Sequence, residues 1–143
     1  MTTRPAQPSD KEHARRVHHL AYRDVVEQEF GSWVEAEQDG WFEKGFSTTH
    51  LRIVELDGIA IGAIAVTEAD DRVSLLEIQI LPDYQNRGIG SRLVKDEIAY
   101  AASRCKPLCL QVLRANRARA LYERLGFRLV GESEHHFLLR RET

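Results

Sequence analysis

Leu75-Leu76-Glu77-Ile78-Gln79-Ile80-Leu81-Pro82-Asp83-Tyr84-Gln85-Asn86-Arg87-Gly88-Ile89-Gly90-Ser91 is the stretch that decides the fold of this 143-residue chain. Residues 75 to 81 form an apolar, strand-like run, and Pro82 ends it because proline has no N–H for a ladder. Gln85 to Gly90 then open an amphipathic helix with Leu93, Val94, Ile98, Ala101, Ala102 and Cys105 as its inward stripe. Gly88 and Gly90 let the backbone approach a ligand with no Cβ in between, and the first N–H groups of the helix point at any anion placed there. The spacing weakens two nucleotide-binding readings. Leu93 stands where a dinucleotide fingerprint needs its third glycine, and the Gly-Lys-Ser/Thr of a Walker A loop is absent.

Downstream, Leu108 to Leu113 reads as a buried strand. Asn116 is a good N-cap for a last helix, Ala118, Leu121, Tyr122 and Leu125 are its inward stripe, and Gly126 is the left-handed residue that stops it. Phe127 to Val130 and His135 to Arg140 follow as strands joined through Gly131. Upstream, His50 to Leu56 and Ile59 to Thr67 flank Asp57-Gly58, the dipeptide suited to a type I′ hairpin, and Val73 to Leu81 is a third antiparallel strand. Before the sheet lie two helices. Ser9 to Glu12 reads as a capping box ahead of Ala14, Val17, Leu20, Ala21, Val25 and Phe30, and the first helix runs to about Gly31. Ser32 to Glu35 is a second box, and Val34, Gln38, Trp41, Phe42 and Phe46 suggest a shorter, less regular helix.

Two motifs in order carry a resemblance. Gln85-Asn86-Arg87-Gly88-Ile89-Gly90 resembles the acetyl-CoA loop of the GNAT superfamily of N-acetyltransferases. Asn116-Arg117-Ala118-Arg119-Ala120-Leu121-Tyr122-Glu123-Arg124-Leu125-Gly126-Phe127 resembles the block that runs from an asparagine through Leu-Tyr to Gly-Phe in the same family. The likeness covers about residues 50 to 139 and thins out before them, where the superfamily varies with substrate. It implies a single α/β domain over residues 1 to 143, with a mixed, mainly antiparallel central sheet flanked by helices. It also implies direct transfer of an acetyl group from acetyl-CoA to a primary amine.

By that resemblance Gln85, Asn86, Arg87, Gly88, Ile89, Gly90 and Ser91 hold the cofactor phosphates. The strand before them carries a bulge, and its backbone at Gln79, Ile80 and Leu81 bonds the pantetheine arm and acetyl carbonyl, where an N–H can stabilise an oxyanion. Asn116 and Arg119 complete the cofactor set, and Tyr122 protonates the departing thiolate. An alkylamine with a pKa of about 10.4 must lose a proton before it attacks. Glu77, on the same strand face as Gln79 and Leu81, is the candidate base, directly or through water. Gln111 stands where some protein N-terminal acetyltransferases carry a glutamate, and it cannot accept that proton. His135 and His136 point to opposite faces of the last strand, so one of them could face the acceptor. Two other readings stay open: a non-catalytic acyl-CoA-binding or sensing module, and a protein lysine or N-terminal acetyltransferase. A homodimer is expected from the resemblance alone.

Composition sets the remaining expectations. With 43% hydrophobic and 29% charged residues the chain is ordinary globular material. No apolar leader or bilayer-length run is present, so a cytoplasmic protein without a membrane or nucleic-acid partner is expected. Cys105 and Cys109 lack a second pair or a nearby histidine and read as buried, reduced thiols, and the histidines have no zincin spacing, so no metal is expected. Between Asp24 and Lys44 seven acids face one base, whereas between Gln85 and Arg128 ten bases face three acids. A basic end suits the polyanionic cofactor, and an acidic end with Trp33, Trp41 and Phe42 suits a small cationic amine.

Overall fold

In the computed structural model, which describes residues 1–143, the strand-forming runs join one seven-stranded sheet with helices on both faces. In chain order, β1 spans Thr2–Pro5, α1 Lys11–Phe30, α2 Glu35–Gly45, β2 Leu51–Leu56, β3 Ile59–Glu68 and β4 Val73–Ile80. They are followed by α3 Ile89–Ser103, β5 Leu108–Leu113, α4 Ala118–Arg124, β6 Arg128–Glu132 and β7 His136–Arg141. The order across the sheet is β1-β2-β3-β4-β5-β7-β6, and every pairing is antiparallel except that of β4 with β5. Asp57 (φ 51°) and Gly58 (φ 78°) take the two positive angles of a type I′ turn, as expected between β2 and β3.

One sheet face buries Val73, Leu75 and Ile80 of β4 and Leu108, Leu110 and Val112 of β5 under Leu93, Val94 and Ala101 of α3 and Tyr122 of α4. On the other face Ala63 and Ala65 of β3 meet Ala14 of α1 and Phe42 of α2. The small residues there let α1 lie close to the strands. No helix is long and apolar enough to cross a membrane.

The feature that makes room for a site is the way β4 leaves β5. Their parallel pairing covers only Val73 to Leu75 against Leu108 to Leu110. Beyond it β4 runs on to Ile80 and β5 to Leu113 as two arms of a V. Leu76 has no partner on β3, because Leu75 pairs with Val66 and Glu77 with the next residue, Ala65. That bulge changes the alternation: Leu75 faces the α3–α4 core, whereas Glu77 and Gln79 turn to the α1 face and Ile78 and Ile80 take over the core side. On the β3 side the same stretch of β4 comes very close. A Cβ built on Gly62 would lie 2.3 Å from the Gln79 carbonyl oxygen, so only glycine fits beneath the bend.

Several local expectations give way. Strand β1 was not expected; Thr2 to Pro5 take the free edge of β2, opposite Glu55 to Arg52. Neither proposed capping box forms. Asp10 instead accepts the Gln7 N–H and pairs with Arg4 at 2.9 Å, and it caps a short 3₁₀ turn before α1. Glu35 accepts from the Trp33 indole and Arg15. Helix α3 ends at Ser103, so Cys105 leaves the stripe, takes φ 56° and is exposed rather than buried. Leu20 and Phe30, placed on the inward stripe of α1, are 44% and 50% exposed, and Val26 is buried instead.

Candidate active site

The V between β4 and β5 opens into a cleft of about 1360 Å³, walled by the C-terminal half of α1, the inner edge of β4, the start of α3 and the length of α4. Past Leu75 the β4 backbone has no ladder partner on this side, so the polar groups of Ile78 and Ile80, which point away from β3, face the cleft, whereas those of Gln79 turn to β3. Both carbonyls already have a donor within the chain: Ile78 lies 3.5 Å from the Tyr22 hydroxyl, and Ile80 accepts at 2.9 Å from the side-chain N–H of Gln85, which folds back to it. Gln85 thereby fixes the loop to the strand end. Asn86 (φ 62°) and Gly88 (φ 79°) turn the chain into α3.

No side chain caps the first turn of α3, so its leading N–H groups are free. No protein atom lies within 4 Å of a Cβ built on Gly88 or Gly90, and Gly90 has no positive φ. Neither protein packing nor backbone strain accounts for glycine at position 90. A ligand passing over the helix N-terminus does, and the open cradle fits a pyrophosphate.

At the inner end stands Tyr122. Its ring is buried against Phe127 at 5.6 Å between centroids, and burial pushes its phenol up to about 12. The hydroxyl has no hydrogen-bond partner within the chain, yet it is not sealed in, since no enclosed side-chain polar atom is left unpaired; it opens on the cleft. Asn116 caps α4 as expected, with Oδ1 accepting the Ala118 N–H at 2.9 Å, and it also lines the cleft.

The bulge brings Glu77 against α1. Its Oε2 accepts two hydrogen bonds, from the Tyr22 hydroxyl at 2.9 Å and from the Gln79 amide at 3.1 Å. Burial raises the Glu77 carboxyl above its usual range, and the two donors oppose that rise. Tyr22 and Gln79 line the cleft and Glu77 stands just behind them.

Of the residues expected to bind cofactor, Gln79, Ile80, Gln85, Asn86, Gly88, Ile89, Gly90, Ser91, Asn116 and Tyr122 all meet in this cleft. Leu81, Arg87 and Arg119 are not brought to its wall. Arg87 stacks on Tyr84 at 5.1 Å, and Arg119 pairs with Glu123 at 2.7 Å and lies over Phe137. The cleft takes its positive charge from Lys95, Arg117 and Arg124.

The acidic stretch is less free than its count suggests, because bases of α1 outside that window neutralise it. Arg15 pairs with Glu35 and Asp39, Lys11 with Glu43, and Arg23 with Glu27. His19, Glu35 and Asp39 are close enough together to hold a cation, but the Arg15 guanidinium already occupies that cluster. Asp24 remains on the cleft wall without an ion-pair partner, beside the Arg23-paired Glu27.

At the far end of α1, Glu29 accepts the Ala115 N–H at 2.8 Å and lies 3.1 Å from His135 Nδ1, while Phe30 packs on the His135 ring at 4.4 Å. His135, then the Ala115 amide, hold the Glu29 carboxyl below its usual range. This clasp ties α1 to the segment before α4 and to the β6–β7 turn. Neither Tyr22 nor Glu29 was singled out from sequence. Tyr22 sits on the same helix face as His18, four residues earlier, which is the only local signal it carries.

A sheet split between two central strands, with a glycine-turned helix start and a tyrosine at the split, defines an acyl-CoA-type transferase fold. The chain belongs to the GNAT acetyltransferases: residues 47–129 match the acetyltransferase (GNAT) domain. It is 34% identical to the [ribosomal protein bS18]-alanine N-acetyltransferase of Haemophilus influenzae, over 62% of this chain and 60% of that one. It is 28% identical to the spermidine N(1)-acetyltransferase of Escherichia coli, over 93% of this chain and 77% of that one. The chain thus spans less than two thirds of the first of these, and another relative is matched over only 37% of its length. The PaiA N-acetyltransferase of Thermoplasma acidophilum, solved in complex with coenzyme A, superposes with a TM-score of 0.80 at 18% identity, covering 99% of this chain and 98% of that one. At that identity the likeness establishes the fold.

Proposed function

We propose that this chain is an acetyl-CoA-dependent N-acetyltransferase that acetylates the primary amine of a small cationic acceptor by direct attack. The observation that carries the reading is the cleft itself, in which an unpaired strand edge, an uncapped helix N-terminus and a phenol hydroxyl all open on one space. The α3 N-terminus, with Lys95 nearby, receives the phosphates, and the free edge of β4 receives the pantetheine amides. The thioester carbonyl then lies at the split, beside Tyr122.

In the transfer, the neutral amine nitrogen bonds to the thioester carbon and the carbon–sulfur bond breaks. The amine proton passes through water to Glu77, which stands behind the cleft wall, the sulfur takes a proton from Tyr122, and exchange with water in the open cleft returns both groups to their starting states. Against a free thiol near 8.5, a phenol at about 12 leaves a gap of about 3.5 pKa units, or about 5 kcal/mol, for complete transfer. The same dry wall that raises the phenol also raises the thiol, and this narrows the gap.

Support for a small acceptor comes from the clasp of Glu29, Phe30 and His135, which ties α1 to Ala115 beside the cleft and so resists the opening there that a protein chain would need. Asp24, on the cleft wall without an ion-pair partner, favours a cation. The exposed Gln111, with no carboxylate to offer, argues against the peptide N-terminus reading.

An assay of thiol release from acetyl-CoA across small amines, polyamines, aminoglycosides and peptides tests the proposal, with binding calorimetry alongside. Transfer to a small amine is expected. Acetyl-CoA binding without transfer to any acceptor would favour a sensing module, and absence of binding would overturn the reading. In Tyr122→Phe, transfer should fall tenfold or more at unchanged acetyl-CoA affinity, and undiminished transfer would remove the acid role.

A further inference from the structure

Two donors converge on a single oxygen of Glu77, and one of them comes from Tyr22 of α1, far from both sequence motifs. We infer that Tyr22 is a positioning residue for the base: its hydroxyl, together with the Gln79 amide, fixes Oε2 of Glu77 so that Oε1 is the oxygen that takes the amine proton. The inference rests on the reading of Glu77 as base, which Proposed function adopts.

The geometry supports it at each point. Tyr22 Oη donates to Oε2 at 2.9 Å and Gln79 Nε2 donates to the same atom at 3.1 Å, so that oxygen is fully engaged. Oε1 has no partner in the chain and is not sealed from solvent, because no enclosed side-chain oxygen is left unpaired. The Tyr22 ring is itself held in place: His18, one turn earlier on α1, packs edge-on against it at 5.2 Å.

The surroundings leave few other groups to set the proton affinity of Glu77. From α1 there are Tyr22 and His18, and burial, then His19, push the His18 imidazole down to about 4, so it is neutral near pH 7. From β3 the facing residues are Ala63 and Ala65, which carry no charge. From α4, Tyr122 acts on Tyr22 as a second neutral phenol. No cation reaches Glu77, and its rise comes from burial, opposed only by the two donors. A donor bonded to the carboxylate favours the ionised form, so its removal lets the carboxyl rise further.

The test is the pH dependence of kcat/KM in Tyr22→Phe, which keeps the ring and removes only the hydroxyl, with Glu77→Gln in parallel and thermal melts of both. The acid limb is expected to move to higher pH in Tyr22→Phe by about one pH unit, the effect of losing one hydrogen bond to a charged group. A merely structural role would lower activity at all pH values and leave the limb where it was. Gln79→Leu, which removes the other donor to the same oxygen, should move the limb in the same direction and covers the case of a poorly folding Tyr22 variant. If Glu77→Gln abolishes the limb while Tyr22→Phe and Gln79→Leu leave it unmoved, the positioning role is overturned and Glu77 stands as base. If the limb persists in Glu77→Gln, the base reading itself fails and this inference falls with it.

Discussion

Adding one methyl group at Gly62 should damage the cofactor wall from the opposite side of β4. An alanine Cβ there would stand 2.3 Å from the Gln79 carbonyl oxygen and 2.9 Å from Ile80 Cδ1. Carbon and oxygen rest no closer than about 3.3 Å even in favourable contacts, so one strand must yield by about 1 Å. β3 is the less able to move, since Ile61 and Ile64 are almost fully buried on one face and Ala63 on the other. β4 must therefore shift at Gln79, on the stretch whose other edge borders the cleft.

Overpacking of this size costs about 1–3 kcal/mol, which corresponds to a melting point lower by about 3–10 °C in a domain of this length. Acetyl-CoA affinity should fall in the same variant, because the displaced carbonyl belongs to the strand proposed to receive the pantetheine. Differential scanning calorimetry and binding calorimetry of Gly62→Ala measure both. Gly40→Ala is the control: it lies inside α2 with no atom within 4 Å of the new Cβ, and alanine should stabilise the helix by up to about 1 kcal/mol. A Gly62→Ala protein that melts within about 1 °C of the parent and binds acetyl-CoA equally well would refute the close-approach argument.

Other perturbations probe separate parts of the fold. Asn116→Ala removes the cap on α4 and should lower stability by about 1 kcal/mol in a denaturant melt, since the Ala118 N–H loses its acceptor. His18 stays neutral in the native protein down to about pH 4, whereas an unfolded histidine binds its proton near pH 6.5; stability should therefore fall as pH drops through that window, and His18→Gln should flatten the slope in melts across pH 4 to 7. Glu29→Ala releases the clasp with Ala115 and His135 and should lower KM for longer or peptide acceptors relative to small amines, and an unchanged acceptor preference would count against a clasp that limits acceptor size.

The readable part of this chain is the part governed by local chemistry. Asp57-Gly58 dictates its own turn, Gly88 its helix start and Gly126 its helix stop, because each needs a backbone angle that few residues accept. The cofactor loop was legible for that reason. Charge was harder to read: the acids of α2 looked free because their partners, Lys11 and Arg15, lie outside the window over which they were counted. The resemblance placed Arg87 at the cofactor phosphates and Arg119 in the cofactor set, but each lies over an aromatic ring, Arg87 over Tyr84 and Arg119 over Phe137. Tyr22 and Glu29 were hidden because their partners are 55 and 86 residues away, at Glu77 and Ala115, and no periodicity reports such a distance.

The irregularity at Leu76 connects these pieces. With strict alternation Glu77 would share the face of Val73 and Leu75 and be buried among the aliphatic side chains of the α3–α4 core, where an unpartnered carboxyl is strongly disfavoured. One unpaired residue moves it to the α1 face and within reach of the Tyr22 hydroxyl, and the same step places Ile78 and Ile80 in the core that Glu77 and Gln79 vacate. The strand bends where the bulge lies, which separates β4 from β5 and presses it against β3, and glycine at position 62 leaves space for that approach. Opening the cleft, orienting the carboxyl and requiring Gly62 are thus three results of a single extra residue, which explains why an apolar run that reads as an ordinary strand carries the wall of the site.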